Sequence, residues 1–201
     1  MAGSRFGAHI RLWFFFVPAI AVFLMPALPD KTLFEIPEAE SQSLADTVGD
    51  QRADEVVAGA TGLFRRAFVN TGLLSATVNA TRDDTISDGG MSDFAHRWVV
   101  NFWRLIFRVF YRAYVMKVWL LGTAAFCLAA FIDGSVRRKI RAAAAGFASP
   151  LSFHIAGHGI LLVLGVAFAV LIAPVPVLAQ YWVVVALVLG ALLWKAAASY
   201  Q

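Results

Sequence analysis

Four arginines, Arg97, Arg104, Arg108 and Arg112, follow one another at spacings of 7, 4 and 4 residues. Those spacings put all four on one face of an α-helix. Trp98, Phe102, Trp103, Phe107, Phe110 and Tyr111 are interleaved with them. A basic and aromatic face of this kind suits a lipid surface, where cations meet headgroups and rings sit at the interface. In that reading Arg112 and Lys117 reach along their apolar stems toward headgroups. An acidic protein segment is the next partner such a face could take. Nucleic acid is the weakest, because the rings suit lipid at least as well as bases. A second basic cluster, Arg137, Arg138, Lys139 and Arg141, follows Asp133-Gly134 and suits anionic lipid on the side where short cationic loops are retained. Asp133 opposes the dipole of a helix ending there, and Arg137 four residues on can compensate it. These nine residues, the two arginine sets with Lys139 and Asp133, are the candidates for facing membrane or partners.

Other reactive types give less. His154 and His158 are four apart and could share a metal on one helical face, but no Cys or carboxylate lies near them in sequence, so no metal is expected. Cys127 is the single cysteine, which excludes an internal disulfide. No nucleophile elbow, phosphate-cradling glycine loop, metalloprotease motif or cysteine pair occurs. Proton relays and ion pathways need ionisable groups within spans, and the apolar runs carry almost none away from their ends. The sequence therefore predicts no enzyme, no cofactor and no self-sufficient transporter.

The elements that carry these residues are written in the composition. The 201 residues are 60% hydrophobic and 15% charged, with a mean hydropathy of +0.70, well beyond a soluble domain. The excess sits in four runs, so the expected fold class is all-α, a polytopic membrane protein with about four transmembrane helices. A helix needs about 20 apolar residues to cross a bilayer. The expected spans are 12–28, 113–132, 155–173 and 181–197. The first is read as a retained span kinked at Pro18; its apolar core is longer than a cleaved leader needs. Ser149-Pro150 has the form of a helix start. Pro174-Val175-Pro176 closes the third span in a tight turn. Tyr181, Trp182 and Trp194 mark interfaces, and Gly157, Gly165 and Gly190 are places where helices could approach closely.

Between the first two spans, residues 29–96 hold 12 of the 13 acidic residues against five basic ones, a formal net of −7. A short polar helix is expected over 38–45. A longer one is expected over 50–78, from Val56, Val57, Ala60, Leu63, Phe64, Phe68 and Leu74, with Asp50 or Asp54 as cap. Residues 81–92 read as a loop, and Asp93 can cap the helix that follows. This acidic, partly helical region is too poor in large apolar side chains for a core of its own and should lean on membrane or partners. The domain division is thus 1–28, 29–96 and 97–201, with a basic turn over 134–149. The positive-inside pattern puts both termini in the cytoplasm and the acidic region in the periplasm, with the basic stripe on the outer side as its one exception.

The stretch FIDGSVRRKIRAAAAGFASPLSFHI resembles the integrating conjugative element membrane proteins of bacteria. The likeness rests on Asp133, Gly134, Arg137, Arg138, Gly146, Phe147, Ser149, Pro150 and His154, with His96-Arg97-Trp98 upstream and the alanine-rich end at Gln201. It extends over roughly 50–201. The resemblance implies an inner-membrane component of conjugative DNA transfer through type IV secretion machinery, with other transfer proteins as partners and a ring or small homo-oligomer as assembly. It supplies no catalytic residue. A regulatory or exclusion protein of the mobile element is the alternative function.

Overall fold

The computed structural model describes residues 5–82, 90–144 and 150–200. The described residues form helices and connecting turns, without strands, as the apolar periodicity required. Four helices are long and apolar enough to cross a membrane. The chain divides into two compact units. One comprises the described residues of Met1–Phe15, Met116–Ala169 and Gln180–Gln201; the other comprises Phe16–Val115 and Val170–Ala179. This division differs from the expected 1–28, 29–96 and 97–201, because the basic stripe packs with the acidic region.

The first apolar run is α1 (Arg5–Arg11), a π-turn over Leu12–Phe16, α2 (Val17–Leu24) and a 3₁₀ turn over Met25–Ala27. The wide turn immediately precedes Pro18, whose ring and missing N–H exclude a regular ladder there. After a 3₁₀ turn over Lys31–Phe34 come α3 (Glu38–Val48) and α4 (Asp50–Phe64). At the start of the Lys31–Phe34 turn, Asp30 accepts from both the hydroxyl and the backbone N–H of Thr32; these bonds hold its pKa below the usual carboxylate value. Gly49, at φ +85°, makes the corner between α3 and α4, so the N-cap position is Gly49 and not Asp50 or Asp54. The expected 50–78 helix is interrupted. It passes through a π-turn at Arg65–Val69, breaks at Gly72, which is left-handed at φ +75°, and resumes as α5 (Leu73–Ala80).

Then α6 runs unbroken from Met91 to Ala143, 53 residues, far more than the ~20 a bilayer needs. It joins the basic stripe and the second apolar run in one element. α7 (Pro150–Ile172) and α8 (Gln180–Ser199) follow. The expected cap at Ser149, and Gly146, Phe147 and most of the 81–92 loop, lie outside the described residues.

Within the first unit, α6 and α8 approach at Gly134, where an added Cβ would meet the backbone carbonyl of Trp194. Backbone cannot swing aside as a side chain can, so Gly134→Leu should lower the melting temperature in detergent, at a cost of about 1–3 kcal/mol for the overpacked contact. An unchanged melt would show that the two helices do not need this contact. Gly165 and Gly190 lie against the rings of Trp13 and Phe126, whereas Gly157 faces open space.

Candidate functional site: a buried Glu–Arg–Arg node

Arg108 and Arg112 do not face lipid. Each is only 1% exposed, and they are the two largest fully buried side chains described. This corrects their expected place among membrane-facing residues, and it corrects the image of Arg112 reaching for headgroups. The spacing did put the arginines on one helical face, but that face of α6 packs against α3, the Leu33–Glu35 backbone and the turn after α7. Arg97 and Arg104 are half-buried on the same stripe.

Burying a guanidinium requires a partner for nearly every donor. Arg112 forks onto Glu40 of α3: Nε donates to one carboxylate oxygen at 2.8 Å and Nη2 to the other at 2.8 Å. Its Nη1 donates to the carbonyls of Val170 (2.6 Å) and Ala173 (2.7 Å), and Nη2 also reaches the Val175 carbonyl. Arg108 donates to the carbonyls of Leu33 (2.6 Å) and Val175 (3.0 Å) and lies 3.7 Å from Glu40 as an ion pair. Glu40, 3% exposed, also accepts from the Val177 N–H at 3.1 Å, and Ser43 accepts from the Ala179 N–H at 3.0 Å.

Two cations thus face one carboxylate. The excess charge is balanced by carbonyls at the C-terminal end of α7, the negative end of its dipole, and by the turn beyond it. That turn is a good acceptor for a chemical reason. Pro174 and Pro176 stop the helix and have no N–H, so its carbonyls stay available. Four orphan carbonyls end every helix; here an arginine supplies donors from the side.

The first apolar run ends in the same manner. Asn101, 1% exposed, donates to the carbonyls of Pro26 and Leu28, both at 3.2 Å, and Trp98 Nε1 donates to the Phe23 carbonyl at 3.1 Å. One segment of α6, from Trp98 to Arg112, therefore closes the C-terminal ends of two apolar helices. Phe34, Leu105 and Ile172 form the buried core between these contacts, with Ala21, Val22, Met25, Leu33 and Val109 against it.

The acidic region packs not on a core of its own but on α6 of the same chain, rather than on membrane or partners. Phe34, Leu44, Val56, Ala60 and Phe64 are buried, and Phe64 stacks edge-on against Trp103, Phe107 and Phe110 of α6. Trp103 Nε1 donates to Thr77 of α5 at 2.9 Å, and Thr81 meets His96 at 3.1 Å. The region leans on α6, which supplies the large apolar side chains it lacks.

The remaining predicted residues lie in the other unit. Asp133 accepts from Trp194 Nε1 at 2.6 Å. Arg137 lies over the Trp194 ring and Arg138 over the Tyr200 ring, at 5.6 and 5.4 Å from the centroids. Arg141 donates to the Ala198 carbonyl at 3.3 Å, near the end of α8. Lys139 is exposed. This part of the cluster holds α8 to α6 through cation–π contacts and one helix-end bond. The ring of His158 lies 5.6 Å from that of His9, and among the described residues no three His, Cys, Asp or Glu side chains converge.

Sequence reasoning missed Glu40, Ser43 and Asn101. Asn101 had a signal: with it the stripe reads 97, 101, 104, 108, 112, a continuous polar line at steps of four and three. Glu40 had none, being one acid among 12 in its region.

What this arrangement can do is mechanical. Its buried charges are paired with one another and with backbone carbonyls, Arg108 Nε alone of the node's charged donors being without a hydrogen bond. Comparison with family models adds the biological setting. Residues 27–201 match the model described as IncC plasmid conjugative DNA transfer protein DtrJ-like. The chain belongs to the DtrJ-like family. The matched span covers most of the chain, including every residue of the node and both basic clusters. The likeness to a conjugative-transfer family, seen first around Asp133-Gly134, is thereby borne out, and a role in conjugative DNA transfer follows. No characterised protein and no solved structure matches the chain.

Proposed function

We propose that this chain is a bacterial inner-membrane assembly subunit of a conjugative, type IV secretion apparatus, without catalytic activity of its own. It crosses the membrane four times with both termini in the cytoplasm and presents a docked acidic surface to other transfer proteins in the periplasm. The observation that carries the reading is the node itself. Glu40, Arg108 and Arg112 fix the acidic region to the helix ends, so the region forms a surface of set geometry. Glu38, Asp46, Asp50, Asp54 and Glu55 of α3 and α4 are exposed on it, available to basic partners. The topology follows the positive-inside pattern of the sequence, and Lys139 and the exposed Arg137 are available to anionic lipid.

Deletion of the gene from a donor should abolish transfer while growth stays normal, and the protein should co-purify with other transfer proteins. Unchanged donor transfer together with altered behaviour of recipients would replace assembly by exclusion or regulation. A reporter active only in the periplasm should be active when inserted after Gly89; silence there would refute the topology.

A further inference from the structure

We propose that the groove between α4, α5 and α6 holds one acyl chain of an anionic phospholipid, with its headgroup on Arg104. The proposal rests on the membrane reading above. The groove is a cavity of 470 Å³ lined by Phe34, Phe64, Leu74, Val78, Trp103 and Phe107 among others, with Arg104 and Glu35 as its charged residues. That volume lies in the ~300–1,000 Å³ range of small-molecule sites.

Two observations select the occupant. The first is the charge at the rim. Arg104 Nη1 is buried yet makes no hydrogen bond. Its nearest carboxylate, Glu35, is 3.5 Å away and 60% exposed, a pair that contributes little in water. Nη1 itself faces Glu35, but the Arg104 side chain is 38% exposed, and its outer donors can meet an oxyanion. An apolar slot beside a partly exposed guanidinium fits an amphiphile with an anionic head, which a hydrophobic peptide segment would not satisfy as well. The second is position. Phe34 lines the groove and also belongs to the core with Leu105, Ile172, Val22 and Met25, the last three at the ends of the first and third apolar runs. Through Phe34 the groove adjoins the ends of those helices, and on the membrane reading helix ends are where phospholipid headgroups lie.

The test uses the full-length protein in nanodiscs containing phosphatidylglycerol with a photoreactive acyl chain, or the matching phosphatidylcholine. After irradiation and trypsin, label is sought on fragment 67–82, which carries Leu74 and Val78, and on fragment 118–137, the exposed apolar face of α6. Both fragments should be labelled. Val78→Trp, and separately Leu74→Trp, should clear the label from 67–82 and leave 118–137 labelled. Arg104→Gln should reduce the preference for phosphatidylglycerol at 67–82 by about tenfold, one charged hydrogen bond's worth. Label on 118–137 alone would overturn the groove and leave the membrane reading standing; label on neither would sink both. A photo-crosslinking residue at position 78 in donor cells that captures another protein would also overturn the proposal, in favour of a peptide.

Discussion

Arg112→Leu should destabilise the protein in detergent by about 3–5 kcal/mol, the usual effect of removing one partner from a buried ion pair. Glu40 would then keep only Arg108, at 3.7 Å, and the Val177 N–H. The carbonyls of Val170 and Ala173 would lose the donor that closes α7. Arg112→Lys keeps the charge but cannot form the two-pronged contact, so it should recover only part of the loss. The double variant Glu40→Leu/Arg112→Leu should be less harmful than the sum of the two single changes, since they share one interaction. Unfolding in mild detergent measures the stability, and trypsin cleavage at Lys31 and Arg52, on either side of α3, reports undocking. Wild-type melting and cleavage in Arg112→Leu would show that the node holds nothing together.

Phe64→Ala should have a comparable effect, about 3–5 kcal/mol for a buried phenylalanine. Phe64 is 8% exposed. Its ring lies 5.4 Å from Phe68, 6.2 Å from Trp103, 5.4 Å from Phe107 and 6.0 Å from Phe110. Those edge-to-face contacts add to the area lost from water. The variant should speed trypsin cleavage at Arg65 and Arg66, which are exposed but held in helix, and lower the melting temperature, while the membrane-associated fraction stays constant. If the melt is unaffected, α4 is not held by this ring cluster. Leu74→Ala, at a half-buried position on the neighbouring α5, serves as the control and should be milder.

These two residues differ in how far the sequence announced them. Phe64 sat on a three- and four-residue apolar line, and the helix it predicted is there until Gly72 breaks it. The arginine stripe was equally visible, and its common face is real. The acidic segment that this face takes was the weaker expectation, and for Arg108 and Arg112 the chain itself provides that segment.

What the sequence determined by itself was the helical class, the four apolar helices, the concentration of acids between the first two, and the family, because each is carried by composition or by a local pattern. Tertiary structure decided which cations are buried. A guanidinium leaves water only where a carboxylate and free carbonyls converge on it, and here those groups come from Glu40, Leu33, the last turn of α7 and the turn beyond it, 58 to 75 residues away along the chain. Periodicity within one helix fixes which face a residue shares. It carries no information about what distant backbone comes to rest against that face.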